Sequence, residues 1–228
     1  MVWIQVEEAL DAIIYDYVKV NHVISIFQDE KVRNLGLSSI GKRTGVGLEL
    51  GIGPGNFTPR ILGAVKEELI CLDFSADMIK AANENLDNER VHFVRSVFEY
   101  LPIREGTIGT TIMSFSLRDS QRKGQVIDGV KTALGGGGCF LIIDIGRPEN
   151  LLIEHFIALY IRYLVPVIGG LITGRGCKNP WNLLYKTYNR LPRNRLLRGY
   201  LEGMFSVVTL KEYSFGGLIT LKAVKNGA

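Results

Sequence analysis

Five residues, Gly51-Ile52-Gly53-Pro54-Gly55, constrain what this chain can fold into more than any others. They follow a short apolar run, Val46–Leu50, and precede Asn56–Val65, where apolar residues recur at helical spacing. A strand, a tight glycine turn and a helix in that order make the first half of a βαβ unit. Missing Cβ atoms let the turn bend sharply and approach a ligand closely. Open α/β sheets bind their ligands at the carboxyl ends of strands, which is where this turn falls. The alternative is a glycine-rich turn with no ligand. Here the glycines alternate and an acid, Glu49, stands before them, whereas dinucleotide-binding loops read G-x-G-x-x-G.

The alternation continues downstream. Leu69–Asp73, Val91–Arg95, Thr110–Ser114 and Cys139–Ile145 read as strands, and Ala76–Leu86 and Gln121–Leu134 as helices. That pattern predicts an α/β fold with a mostly parallel sheet and helices on both faces. Phe205–Glu212 and Leu218–Val224, joined through Phe215-Gly216-Gly217, read as an antiparallel pair closing the sheet. Gly135–Gly138 reads as a helix stop and a turn, because no helix follows it. Two pieces lie outside the alternation: N-terminal helices from about Ala9 to Asn34, within residues 1–40, and a helical insertion over residues 151–190. With 228 residues and 46% hydrophobic side chains, one domain over 1–228 can bury a full core.

A net charge of +4 requires no polyanionic partner. Arg190, Arg193, Arg195 and Arg198 cluster, but no aromatic interleaving or RNA module accompanies them, so no nucleic acid is expected. Cys71 and Cys139 fall inside strands, and three cysteines without paired spacing suit a reducing, cytoplasmic compartment. The first residues lack a basic stretch followed by an apolar one, so no signal peptide is expected. Leu151–Thr173 is apolar but interrupted by Glu154, His155, Arg162, Pro166 and Gly169–Gly170, which favours a buried or interfacial helix over a membrane span. No metal site is expected.

Asp73 stands at the tip of the second strand, about twenty residues beyond the loop, where a ribose-binding acid is expected. Its alternative role is as a helix cap, although Ser75 can cap that helix alone. Met78, one turn into the helix, lies either against an adenine or in the core.

In order along the chain stand Leu72-Asp73-Phe74-Ser75-Ala76-Asp77-Met78, Leu101-Pro102-Ile103, Phe115-Ser116-Leu117-Arg118-Asp119, Leu134 to Gly138, and Asp144-Ile145-Gly146-Arg147-Pro148-Glu149-Asn150. With the glycine loop, they resemble the UbiE/COQ5 family, the C-methyltransferases of ubiquinone and menaquinone biosynthesis. Two of the family's stretches read close to F-G-L-R-N and E-F-S-R-P-x-N. Leu159-Tyr160, Arg162, Leu164-Val165-Pro166 and Gly169 resemble that family's insertion. The resemblance implies a Rossmann-like class I methyltransferase, with a seven-stranded mostly parallel sheet and an antiparallel C-terminal strand. It also implies S-adenosyl-L-methionine as cofactor, S-adenosyl-L-homocysteine as product, and a small aromatic or prenylated quinol as acceptor. By the same likeness Glu49, Gly51, Gly53 and Gly55 hold the amino-acid end of the cofactor, Asp73 its ribose, and Phe74, Met78, Val97, Phe98 and Ser114 complete the site.

The chain departs from the family pattern at Ser96-Val97-Phe98-Glu99, where the family reads G-D-A-E. Without that acid, adenine depends on the Phe98 backbone and apolar packing, or on Glu99. The N-terminal Y-D-x-x-N survives as Tyr17 and Asn21, expected at the substrate mouth, and Trp181 to Thr187 keeps little of Y-x-Y-L-P-x-S. Two other readings therefore stand beside quinol methylation: methylation of another small molecule, and a non-catalytic cofactor-binding partner protein. No N/D-P-P-Y follows the fourth strand, which argues against methylating a base amine.

For ring methylation, Arg118 is placed to stabilise a phenolate, its alternative being a surface arginine. His155 is a candidate general base or a structural histidine; His22 and His92 have weaker claims. Phe156 to Ile172 forms either a lid or an apolar tunnel for an isoprenoid tail, with the arginines near anionic headgroups of a membrane surface. The same apolar surface would also serve a homodimer contact.

Overall fold

The computed structural model describes residue 14 and residues 16–176 and 179–227. Part of the expected N-terminal helical region, residues 9–13 and 15, lies outside the described residues.

Seven strands form one sheet in the order β3-β2-β1-β4-β5-β7-β6. They are β1 (Val46–Leu50), β2 (Leu69–Asp73), β3 (Val91–Arg95), β4 (Ile108–Ser114), β5 (Leu134–Ile145), β6 (Val207–Tyr213) and β7 (Leu218–Val224). The first five are parallel, and β7 runs antiparallel between β5 and β6. This is the predicted sheet, and the fold class inferred from the sequence holds. The strand order reverses between β1 and β4, so their carboxyl ends diverge and leave a crevice.

Helices α1 (Tyr17–Ile24) and α2 (Asp29–Ile40) precede the sheet; α3 (Thr58–Ala64), α4 (Ala76–Asn85) and α5 (Lys123–Ala133) connect its strands. After β5 come α6 (Leu151–Leu159), a π-helical turn (Tyr160–Leu164), α7 (Val165–Thr173), α8 (Asn182–Tyr188) and α9 (Asn194–Glu202). Side-chain alternation along β5 sorts the core into two layers. Phe140 and Ile142 meet Val126 and Val130 of α5 and Leu197 and Leu201 of α9. Leu141 and Ile143 share the opposite layer with Val32 of α2, Ile61 of α3 and Ala82 of α4.

The four glycines differ from expectation. Gly135–Gly138 belong to β5 itself, where the pairing with β4 slips between Ile108 and Thr110. A bulge in the strand, rather than a turn, takes up the extra residues.

The insertion is also different in character. Leu151–Thr173 is one continuous 23-residue helical stretch whose most apolar 18-residue window has a mean hydropathy of 1.8, long and apolar enough by length and composition to cross a membrane; the polar interruptions do not exclude it as expected. Only 28% of its most apolar window is buried. Its inner face packs on the protein, with Val165 beside Val20 of α1 and Trp181, and Ile161 beside Tyr188 and Leu191. The outer face exposes Leu152, Phe156, Leu159, Tyr163, Val167 and Leu171, an apolar stripe at helical spacing. Its start is fixed by Asn150, whose side chain accepts from the amides of Leu152 and Ile153 at 3.0 and 3.2 Å. Glu154 ties that first turn to Arg147 at 2.5 Å and to Arg193 at 3.2 Å.

Candidate active site

The glycine turn sits at the end of β1, as its sequence requires. Gly51 adopts φ +84°, and a Cβ there would come within 2.4 Å of the Ser116 Cβ, so only glycine fits. At Gly53, φ is +55° and the space where a Cβ would stand is open. Gly55 has a packing role: a Cβ would strike Leu86 and Ala82 behind α4, so it seats that helix and does not line the crevice. Glu49 is likewise beneath the turn. It is 2% exposed, accepts from Thr58 Oγ1 at 2.8 Å, and burial pushes its carboxyl up to about 7. Neither residue touches the crevice, so both act on the loop's shape.

Asp73 does face the crevice. Its carboxylate accepts from the Gly53 amide at 3.0 Å and the Ser75 amide at 3.1 Å, which links the second strand to the turn. Ser75 caps α4 by accepting from the Met78 amide at 3.0 Å, so Asp73 is not needed as the cap. Burial raises Asp73 to about 6 despite those backbone donors. Phe74, Met78, Phe98 and Ser114 line the same cleft. The Ser114 hydroxyl is buried with no hydrogen-bond partner. Val97 is not brought to the cleft. Glu99 turns the other way: its Oε1 accepts from the amides of Gln121 and Arg122 at 2.7 and 3.0 Å, so it does not replace the missing acid.

The cleft holds about 30 Å³. Beside it lies a second, larger cavity of about 620 Å³ with mainly apolar walls. Tyr17 and Phe115 line both. Phe115 sits in the left-handed region at φ +57°, a conformation that a bulky side chain rarely adopts. Asn21 lines the larger cavity and accepts from Trp181 Nε1 at 3.4 Å, which ties α1 to the insertion.

Arg118 reaches the larger cavity from the 3₁₀ turn Leu117–Asp119 after β4. It is buried, not a surface arginine: its backbone amide and Nη1 each donate to Asp144 at 3.2 Å, and Nη1 also donates to the Phe115 carbonyl. Burial works against its charge, but Asp119 and Asp144 outweigh it and hold the pKa above the usual arginine value. Burial in turn raises Asp119, with Arg118 opposing, and raises the Tyr17 hydroxyl. His155 does not converge on this group. It is exposed on α6 and lines neither cavity, because the helical period turns it outward while Ile157 and Ile161 face in. His22 is paired with Asp29 and His92 with Glu68, at 2.8 and 2.7 Å. Sequence reasoning gave no role to Asp144, Phe115 or Arg33. Asp144 carried a signal, being the one acid within an otherwise apolar strand.

A switch-point crevice between a glycine turn and a strand-tip aspartate, on this seven-stranded sheet, defines a class I S-adenosylmethionine-dependent methyltransferase. More narrowly, the model of the ubiE/COQ5 methyltransferase family matches residues 3–225, and the chain belongs to that family. It is 22% identical to a demethylmenaquinone methyltransferase of Chlamydia caviae, covering 92% of this chain and 91% of the relative. Over 97% of this chain and 90% of the relative, it is 24% identical to a demethylmenaquinone methyltransferase of Lactococcus lactis. A SAM-dependent methyltransferase of Thermotoga maritima shares the fold at a TM-score of 0.70 and 13% identity, over 97% of this chain and all of that one. Family membership implies S-adenosylmethionine as cofactor. The open space at Gly53, the orphan Ser114 hydroxyl and the carboxylate of Asp73 fit its amino-acid and ribose ends.

Proposed function

We propose that this enzyme methylates a ring carbon of a quinol-type acceptor held in the 620 Å³ cavity. The observation that carries the reading is the shared wall: Tyr17 and Phe115 border both the cofactor cleft and the apolar cavity, so a flat ring can approach the donor away from water. When bound, the cofactor supplies an electrophilic methyl group. Gly51, Gly53 and Asp73 hold and orient it, with Met78 and Phe98 as apolar walls and Ser114 as a polar contact. Arg118, fixed by Asp144, offers a permanent positive charge to the acceptor oxygen, which favours its ionised form and places charge on the ring. Tyr17 and Asn21 border the acceptor from α1. His155 lines neither cavity, and the half-buried Asp119, whose affinity for protons burial increases, lies beside Arg118 and the cleft and suits the role of proton acceptor.

The cavity mouth supports a prenylated acceptor. Ile26, Phe156 and Phe215 line it while remaining 64%, 69% and 85% exposed, and Phe156 belongs to the apolar stripe of the insertion. That stripe is read here as a face resting on a membrane surface, from which an isoprenoid tail reaches the cavity.

The test is direct. Purified protein with S-adenosylmethionine and a demethylated menaquinol or ubiquinol is expected to yield the C-methylated ring, identified by mass spectrometry. Cofactor binding with no transfer to any quinol, or transfer to an amine instead, would overturn the proposal.

A further inference from the structure

We infer that Arg33 forms an anion-binding subsite in the acceptor cavity, for a carboxylate or ionised enol oxygen carried on a planar apolar ring. This rests on the cavity being the acceptor site, as proposed above.

Arg33 lies on α2, lines the cavity and is only 7% exposed. Its guanidinium lies over two aromatic rings, 5.1 Å from the centroid of Phe57 and 5.3 Å from that of Phe115. Ring faces are attracted to the cation and fix its plane, but they accept no ordinary hydrogen bond. Nε and Nη1 are both buried with no partner. Glu30 supplies the nearest carboxylate, at 3.6 Å from Nη1, beyond a good hydrogen bond, and it is shared with Arg60. Asp29 also borders the cavity, but its Oδ1 is engaged by His22 Nδ1 and Ser25 Oγ, each at 2.8 Å.

Arg118 makes the comparison sharp. It lines the same cavity and its Nε is likewise without a hydrogen bond, yet its Nη1 donates to Asp144 at 3.2 Å, whereas no carboxylate among the described residues comes that near Arg33. Arg33 is the less compensated cation of the two. A buried guanidinium with orphan donors is costly unless an acceptor arrives. A planar oxyanion supplies both charge and lone pairs to the guanidinium, whereas a neutral acceptor leaves the charge unmet. The enzyme should therefore select acidic ring compounds.

Calorimetry on the protein saturated with S-adenosylhomocysteine tests this with two matched pairs: benzoate against benzamide, and 2-hydroxy-1,4-naphthoquinone, ionised at neutral pH, against its 2-methoxy ether. Each anion should bind at least about tenfold more tightly than its neutral partner, in keeping with the strength of charge-assisted hydrogen bonds. Arg33→Met should erase the ratio and Arg33→Lys should keep part of it, with melting curves confirming that both fold. A ratio in one pair alone supports the subsite and identifies which oxyanion it takes. Equal binding of anion and neutral partner, or an unchanged ratio in Arg33→Met, overturns it. A crystal soaked with 4-bromobenzoate needs no variant: the bromine locates the ring, and a carboxylate against Arg33 supports the inference, while one against Arg118 refutes it. Quinol turnover without anion preference would sink the subsite alone; anion preference without quinol turnover would sink the quinol reading alone.

Discussion

Asp144, inside β5, holds Arg118 at two points, its backbone amide through Oδ2 and its guanidinium through Oδ1, both at 3.2 Å. The carboxylate is 1% exposed and the arginine 8%. A strand residue thus fixes both the turn after β4 and the direction of its cation. Asp144→Asn keeps the shape but leaves a buried charge less matched, a change of the kind that costs about 3–5 kcal/mol when a partner is lost outright. The expected outcome is a loss on the order of 2 kcal/mol in urea unfolding, with turnover reduced at least about tenfold and cofactor affinity unchanged. Weakened cofactor binding in this variant would show that the pair serves the cleft instead.

Asp73 spans the glycine turn and the second strand through the Gly53 and Ser75 amides. Replacing it with alanine should weaken S-adenosylmethionine binding at least about tenfold, the worth of one or two charge-assisted hydrogen bonds. Because burial lifts its pKa to about 6, only the ionised form accepts from two hydroxyls at once. Affinity should therefore rise as pH increases from 5 to 7 and then level off, a trend that calorimetry across that range would reveal. A pH-independent affinity, or an alanine variant that binds normally, removes Asp73 from the cofactor site.

The cleft proposed for the cofactor was legible in the sequence because it is local. A glycine turn, a strand tip and a helix start are consecutive pieces, and Gly51, Gly53, Asp73 and Met78 fall where those pieces place them. The larger cavity proposed for the acceptor is assembled from α1, α2, the turn after β4 and the insertion, so its members are far apart in the chain. Arg33 in particular sits in a stretch, Asp29-Glu30-Lys31-Val32-Arg33, whose charges suggest a solvated helix face; only the approach of Phe57 and Phe115 buries it. His155 misled for the converse reason. An apolar helix suggests burial for everything on it, yet the outer face of α6 is exposed, and histidine, leucine and phenylalanine share it. Gly135–Gly138 resembled a turn because strand pairing across a slipped register leaves no periodic trace.

Glu49 gives a pH signature to stability. Its folded pKa of about 7 lies above the ordinary value of 4.5, because burial penalises the charge. The folded state thus holds this proton more tightly than the unfolded chain. The sign follows: its contribution to stability is fully present below about pH 4.5 and is lost as pH rises through about 7. Glu49→Gln keeps an acceptor for Thr58 and cannot ionise. It should flatten the decline in stability between pH 5 and 8 and leave the variant more stable at pH 8 by up to about 3 kcal/mol. Asp73, raised to about 6, leaves a smaller slope of the same sign in that variant. Parallel pH profiles for the two proteins, from denaturant melts, would refute the assignment.

The apolar stripe on the insertion makes the most accessible prediction. Leu152, Phe156 and Leu171 are 72%, 69% and 79% exposed on one helix whose inner face is already committed to Val20, Trp181 and Tyr188. Inner-face packing leaves the outer face free to rest on lipid without unfolding the domain, and it argues for surface contact over spanning. Burying each such side chain is worth about 1.5–3 kcal/mol, so Leu152→Glu with Phe156→Glu should abolish sedimentation with vesicles while cofactor binding persists. Arg175, at the end of that stretch, and the cluster at Arg195 and Arg198 should make the wild type favour vesicles containing phosphatidylglycerol over neutral ones, with the preference fading in salt. Wild-type protein that ignores vesicles but sediments as a dimer, and becomes monomeric in the double variant, would show that a second copy covers the stripe and no bilayer does.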